Sequence, residues 1–124
     1  MKDWKKTLIS PSTPIMEAIR LIDESSLQIA LVADGNGRLL GVVTDGDVRR
    51  AILRGVSLDR PVHLIMCRDV TVARSSARRD ELLDLMRARD LKHMPVVDES
   101  GSIVDLKVLL DLIDLPQHDN WVVL

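Results

Sequence analysis

Gly41-Val42-Val43-Thr44-Asp45-Gly46-Asp47-Val48 reads as a strand that delivers Thr44 and Asp47 to the first turn of a helix. The first amides of a helix have no partners within it and carry the positive end of its dipole, so such a junction suits a phosphate. Thr44 offers a hydroxyl donor. Asp47, one turn on, offers a carboxylate suited to the paired hydroxyls of a ribose. The same Thr-x-x-Asp spacing is also close to a capping box, which closes a helix end with no ligand at all. From this stretch alone both readings stand.

Working outward, Asp34-Gly35-Asn36-Gly37 is a hairpin-turn signal, because Gly and Asn tolerate positive φ. It separates an apolar run at 29–33 from a return strand at 39–43. The helix after Thr44 covers 45–53 and ends near Gly55. Further upstream, Ile15, Ala18, Ile19 and Ile22 fall at i, i+3, i+4 and i+7 and mark one apolar helix face. Thr13 is placed to cap that helix and Pro14 suits its first position. A short extended piece at 7–9 precedes it. The order is strand, helix, strand, strand, helix.

This unit recurs at an offset of 64 residues without a gap. Thr7 pairs with Thr71, Glu17 with Glu81, Leu27 with Leu91, Val32 with Val96, Asp34 with Asp98, Gly37 with Gly101 and Asp47 with Asp111. The second copy predicts a helix at 77–90 with Leu82, Leu83 and Met86 inward, strands at 94–97 and 103–107 around a turn at 98–101, and a helix at 109–115 stopped by Pro116. Between the copies, 62–66 fits one helical turn. The fold class is therefore α/β (α+β), two β-α-β-β-α repeats about a pseudo-twofold axis. Repeat 1 covers 1–56, a connector 57–69, repeat 2 70–115, and 116–124 is expected to be a linker and the start of a further, catalytic domain. One unit is too small to bury much core alone. Two must pack together, and their junction is a natural cleft for a small ligand.

Composition removes several classes of function. Apolar residues make up 46% and charged residues 29% of the 124, an ordinary globular balance that argues against disorder. There are two Trp and no Phe or Tyr, so the core is aliphatic and aromatic platforms for single-stranded nucleic acid are nearly excluded. Seventeen basic against 19 acidic residues give a net charge of −2, no electrostatic case for DNA or RNA. The single cysteine, Cys67, rules out an internal disulfide. His63 and Cys67 at i, i+4 are at most half a metal site, so no metal is expected. Asp45-Gly46-Asp47 has Asp-x-Asp spacing, but no general base or Lys-bearing phosphate loop accompanies it, so no catalysis is expected. The charged start is followed by no apolar signal segment, and no apolar run approaches the ~20 residues of a membrane span. The sequence predicts a reduced, cytoplasmic, soluble domain with neither nucleic-acid nor membrane partners.

The 41–47 motif behind a hairpin, repeated after 64 residues, resembles a tandem cystathionine-β-synthase-type (CBS) domain pair, or Bateman module. Val62-His-Leu-Ile-Met66 with Val70-Thr71-Val72 is similar to the lead into that family's second repeat, and Lys92-His93-Met94-Pro95-Val96-Val97-Asp98 to its middle strand. The resemblance covers about 7–115. It implies a module that binds an adenosine nucleotide (AMP, ADP or ATP) between the repeats and regulates an attached protein, with no catalytic residues of its own. It implies Thr44 on phosphate, Asp47 on ribose, and residues near Ile9, Ala30 and Met94 around the base. Lys92 and His93 stand where some members place basic phosphate ligands. Arg49 or Arg50 could add a guanidinium, but not both, since neighbours on a helix point about 100° apart. Copy two departs from the pattern. Asp111 matches Asp47, but Asp105 replaces Gly41 and Val108 replaces Thr44, so one nucleotide per chain is expected.

Thr44-Asp-Gly-Asp-Val-Arg-Arg50 is similar to CBS pairs of sugar-phosphate enzymes, both nucleotidyltransferases and isomerases. Trp121-Val122-Val123-Leu124 resembles the first strand of a sugar-phosphate nucleotidyltransferase, which makes the chain the N-terminal regulatory part of such an enzyme. Two alternatives remain: a ligand-free dimerisation module and the CBS pair of a sugar-phosphate isomerase. Small repeats with apolar helix faces imply a homodimer.

Overall fold

Hydrophobic alternation and two turn signals produce one small sheet per repeat. The computed structural model describes residues 4–25 and 27–109. After a 3-10 turn at Trp4–Thr7, repeat 1 runs β1 (Leu8–Ile9), α1 (Ile15–Ser25), β2 (Ile29–Ala33), β3 (Leu39–Thr44) and α2 (Asp45–Leu53). A connector with a 3-10 turn at Val62–Leu64 leads to β4 (Ala73–Arg74), α3 (Arg79–Ala88), β5 (His93–Val97) and β6 (Ile103–Val108). The sheets have orders β1-β2-β3 and β4-β5-β6, the first pair parallel and the second antiparallel in each. The expected helix at 109–115, with Asp111, and the segment 116–124 lie outside the described residues, apart from Leu109.

The repeat extends to individual strand partners. Ile29 faces Thr44 and His93 faces Val108; Ala30 faces Val43 and Met94 faces Lys107. The register shift between Val32 and Ala33 recurs between Val96 and Val97. The expected hairpin turns are equivalent. Asp34 Oδ1 accepts from the amides of Asn36 (2.8 Å) and Arg38 (3.0 Å), and Asp98 Oδ1 from those of Ser100 (2.9 Å) and Ser102 (3.0 Å). Gly37 and Gly101 close these turns at φ of 83° and 89°, where a side chain would be strained.

A pseudo-twofold axis passes between the two turns. Arg38 forms an antiparallel bridge with Ser102, its own counterpart. The Leu39 amide donates to Gly101 O at 3.2 Å, and its counterpart Ile103 donates to Gly37 O at 2.9 Å. Strand alternation then divides the apolar residues among three cores. Ala30, Val32 and Val43 pack under α1 and α2, and Met94 and Val96 under α3. The opposite faces, with Ile29, Leu31, Val42, Leu106 and Val108, bury one another between the repeats.

Two local expectations need correction. Thr13 does not cap α1. Its Oγ1 accepts from the Ser10 amide at 3.2 Å, closing the preceding turn. The connector takes over the capping: the amides of Ile15 and Met16 donate to Arg60 O (2.9 Å) and Leu58 O (3.0 Å). The helix expected at 77–90 is shorter, Arg79–Ala88, because Glu81 Oε1 accepts from the Arg78 amide and makes Arg78 the cap.

Candidate functional site

The β3–α2 junction opens onto a cleft between the repeats, with a volume of about 490 Å³, within the range typical of small-molecule sites. Repeat 1 lines it with Gln28, Ile29, Val42 and residues 44–47. The connector contributes Cys67 and Asp69, and repeat 2 contributes Val70 and Thr71 with Lys92 before β5 and His93 and Pro95 on it. Thr44, Asp47, Lys92 and His93, singled out from distant parts of the sequence, thus share one cavity.

At the junction the capping arrangement is formed. Asp47 Oδ2 accepts from the Thr44 amide at 2.9 Å and from Thr44 Oγ1 at 3.1 Å. Asp47 Oδ1 accepts from Arg50 Nη2 at 2.7 Å. The Asp47 side chain is 11% exposed and that of Arg50 64%. The guanidinium lies over the first turn of α2, so that a Cβ added to Gly46 would sit 3.4 Å from Arg50 Nη1. Of the two adjacent arginines it is therefore Arg50 that reaches the motif; both are exposed, and neither lines the cleft itself.

Ile9, Ala30 and Met94 are not brought to this cleft. Ala30 and Met94 are fully buried in the cores under α1–α2 and under α3. Their strand neighbours Ile29 and Pro95 face the cavity instead. Five-residue strands with no polar alternation, such as Ile29–Ala33, give the sequence no means of telling one face from the other. Ile9 lines a separate shallow groove beside α1.

The motif glycine has a purely structural cause. The connector crosses β3 at Val42: Cys67 N donates to Val42 O at 2.8 Å and Val42 N to Cys67 O at 3.0 Å. A Cβ on Gly41 would lie 2.7 Å from Cys67 O and 2.9 Å from Met66 Sδ. At Asp105, the counterpart, the side chain instead accepts from the Leu106 amide and pairs with Lys107 at 3.0 Å.

The sequence reading missed two residues. Gln28 and Asp90 are the only non-glycine residues at positive φ among the described ones, at 63° and 55°, and both line the cleft. Left-handed backbone on ordinary residues costs energy and gathers at ligand sites. No local sequence signal marks Gln28, since Gln is not a residue that favours this conformation. Among the described residues no cluster of His, Cys, Asp or Glu could hold a metal ion, and no helix is long and apolar enough to cross a membrane.

Comparison with known proteins fits this geometry. Residues 6–54 and 62–110 each match the CBS domain family. The chain is 29% identical over 112 residues to an inosine-5'-monophosphate dehydrogenase of Nitrosopumilus maritimus, covering 90% of this chain and 22% of that protein. It is 30% identical over 95 residues to the arabinose 5-phosphate isomerase GutQ of Escherichia coli K12, covering 77% of this chain and 30% of that one. The crystal structure of the cytosolic domain of the Mg2+ channel MgtE in complex with ATP superimposes with a TM-score of 0.75 at 26% identity, over 87% of this chain and 44% of the other. The chain thus spans less than half the length of each of these proteins.

Proposed function

The chain belongs to the CBS domain family, as two repeats in tandem, and from that premise we propose that it binds an adenosine nucleotide in the inter-repeat cleft and so regulates the enzyme it forms part of. The observation that carries this is the convergence of Thr44 and Asp47 from repeat 1 with Lys92 and His93 from repeat 2 on one cavity. The ATP complex of the MgtE domain supports an adenine nucleotide as the ligand class.

Each side chain has a role in the proposal. Asp47 Oδ1, held by the exposed Arg50, is the acceptor offered to a ribose hydroxyl, which competes with that guanidinium. The Thr44 hydroxyl spends its one proton on Asp47 Oδ2 and so fixes that carboxylate; toward the ligand it offers lone pairs, which suit a ribose hydroxyl rather than the phosphate expected from the sequence. Lys92 supplies positive charge and His93 a ring N–H donor for a phosphate. Ile29 and Pro95 give the base an apolar wall.

The regulated partner is a sugar-phosphate nucleotidyltransferase, on the resemblance of the 44–50 run and of Trp121-Val122-Val123-Leu124. A sugar-phosphate isomerase is the second reading, favoured by the identity with GutQ. The module self-associates as a homodimer, because Ile52, Leu53 and Leu64 are 53%, 79% and 48% exposed. A thermal-shift panel of AMP, ADP, ATP and S-adenosylmethionine tests the ligand class. A nucleotide at ~100 times its Kd adds ~2.7 kcal/mol. No shift with any of them would leave only the dimerisation role.

A further inference from the structure

The charge lining the cleft points to a particular ligand class. Asp45, Asp47, Asp69 and Asp90 line it, against Lys92 and His93. Asp45, Asp69 and Asp90 are exposed residues, and Asp47 is the one of the four that Arg50 meets, at 2.7 Å. The helix terminus does not offset this balance. Asp45 and Asp47 already sit on the first turn of α2, and Asp47 occupies the Thr44 amide. Four carboxylates thus face two cations, Lys92 and the Arg50 that pairs with Asp47, so the lining is negative overall, with Lys92 on the repeat 2 side.

We propose that this cleft selects adenine nucleosides with at most one phosphate, and discriminates against di- and triphosphates. The proposal rests on the nucleotide reading above and narrows it. One phosphate can be met by Lys92 and His93. Each further phosphate adds negative charge that must lie beside aspartates, and a cleft with low-dielectric walls concentrates that repulsion.

The test is calorimetry on the full chain with adenosine, AMP, ADP and ATP, at low and at high salt, without divalent cations. ATP is expected to bind at least about ten-fold more weakly than AMP at low salt, with the gap closing as salt screens the charges. Asp69→Asn with Asp90→Asn should close the gap at low salt by strengthening ATP more than AMP or adenosine. Asparagine suits position 90 because it tolerates the left-handed backbone there. ATP binding as tightly as AMP at low salt, or a gap that survives both substitutions, would overturn the proposal while leaving the nucleotide reading intact. Absence of binding by all four ligands would overturn the nucleotide reading and this proposal with it.

Discussion

Arg50 holds Asp47 through a 2.7 Å bond from Nη2 to Oδ1, on the carboxylate oxygen that the Thr44 cap leaves free. The two oxygens of one side chain thus serve two purposes. Oδ2 closes the helix and Oδ1 is lent to an exposed arginine. An exposed ion pair of this kind contributes about 0–1 kcal/mol, so a ligand hydroxyl can compete with it. Arg50→Ala should change folding stability by less than about 1 kcal/mol. It should tighten binding of the uncharged nucleoside adenosine by a few-fold as the competitor is removed. Parallel urea melts and adenosine titrations check both, and weaker binding in the variant would show that Arg50 positions the carboxylate.

Gly41→Ala should destabilise the fold by roughly 1–3 kcal/mol, since the new methyl meets the Cys67 carbonyl at 2.7 Å and the crossing chain must move. Asp105→Ala, at the matching position, should have a much smaller effect. Urea unfolding of both variants makes the comparison. Equal effects would mean that the connector crossing is not what requires the glycine.

The two hairpin turns should make stability acid-sensitive. Amides of Arg38 and Asn36 hold the Asp34 carboxyl below its usual value, and the Ser100 hydroxyl with the Ser102 amide does the same for Asp98. A carboxyl whose pKa is lowered on folding contributes stability above its unfolded value, and loses it as pH falls through the lowered one. Melting temperature should therefore fall with acidification through and below the ordinary carboxylate range. Asp34→Asn with Asp98→Asn should flatten that dependence. An unchanged acid slope in the double variant would contradict the assignment.

Self-association should be visible by light scattering, with a mass twice the 13.9 kDa of one chain. Leu53→Asp, at the most exposed large apolar side chain among the described residues, should shift the population toward monomer without unfolding it. A mass of one chain at high micromolar concentration would remove the dimer.

The sequence made the repeat legible because equal offsets are visible without knowing the fold, and the structure follows that offset down to the bulge at Val32–Ala33 and Val96–Val97. The helix at Asp45–Leu53 was legible for the same kind of reason, with a cap at one end and Gly55 beyond the other. Strand facing was not. All five residues of Ile29–Ala33 are buried, so nothing in their chemistry says that Ile29 meets the cleft and Ala30 the core. Long-range crossings were also hidden: that Leu58 and Arg60 cap α1, or that Cys67 presses on Gly41, depends on the path of the connector. Left-handed Gln28 became apparent only with the backbone traced.

Calorimetry of AMP against the wild type and Asp47→Ala tests the central claim most directly, the claim that the cleft built on Thr44 and Asp47 holds the ligand. Removing Asp47 should cost the helix cap about 0.5–2 kcal/mol under either reading, so stability alone does not discriminate. The expected result is one AMP per wild-type chain and no detectable binding to the folded Asp47→Ala variant. No binding to the wild type, or equal binding to both, would contradict it.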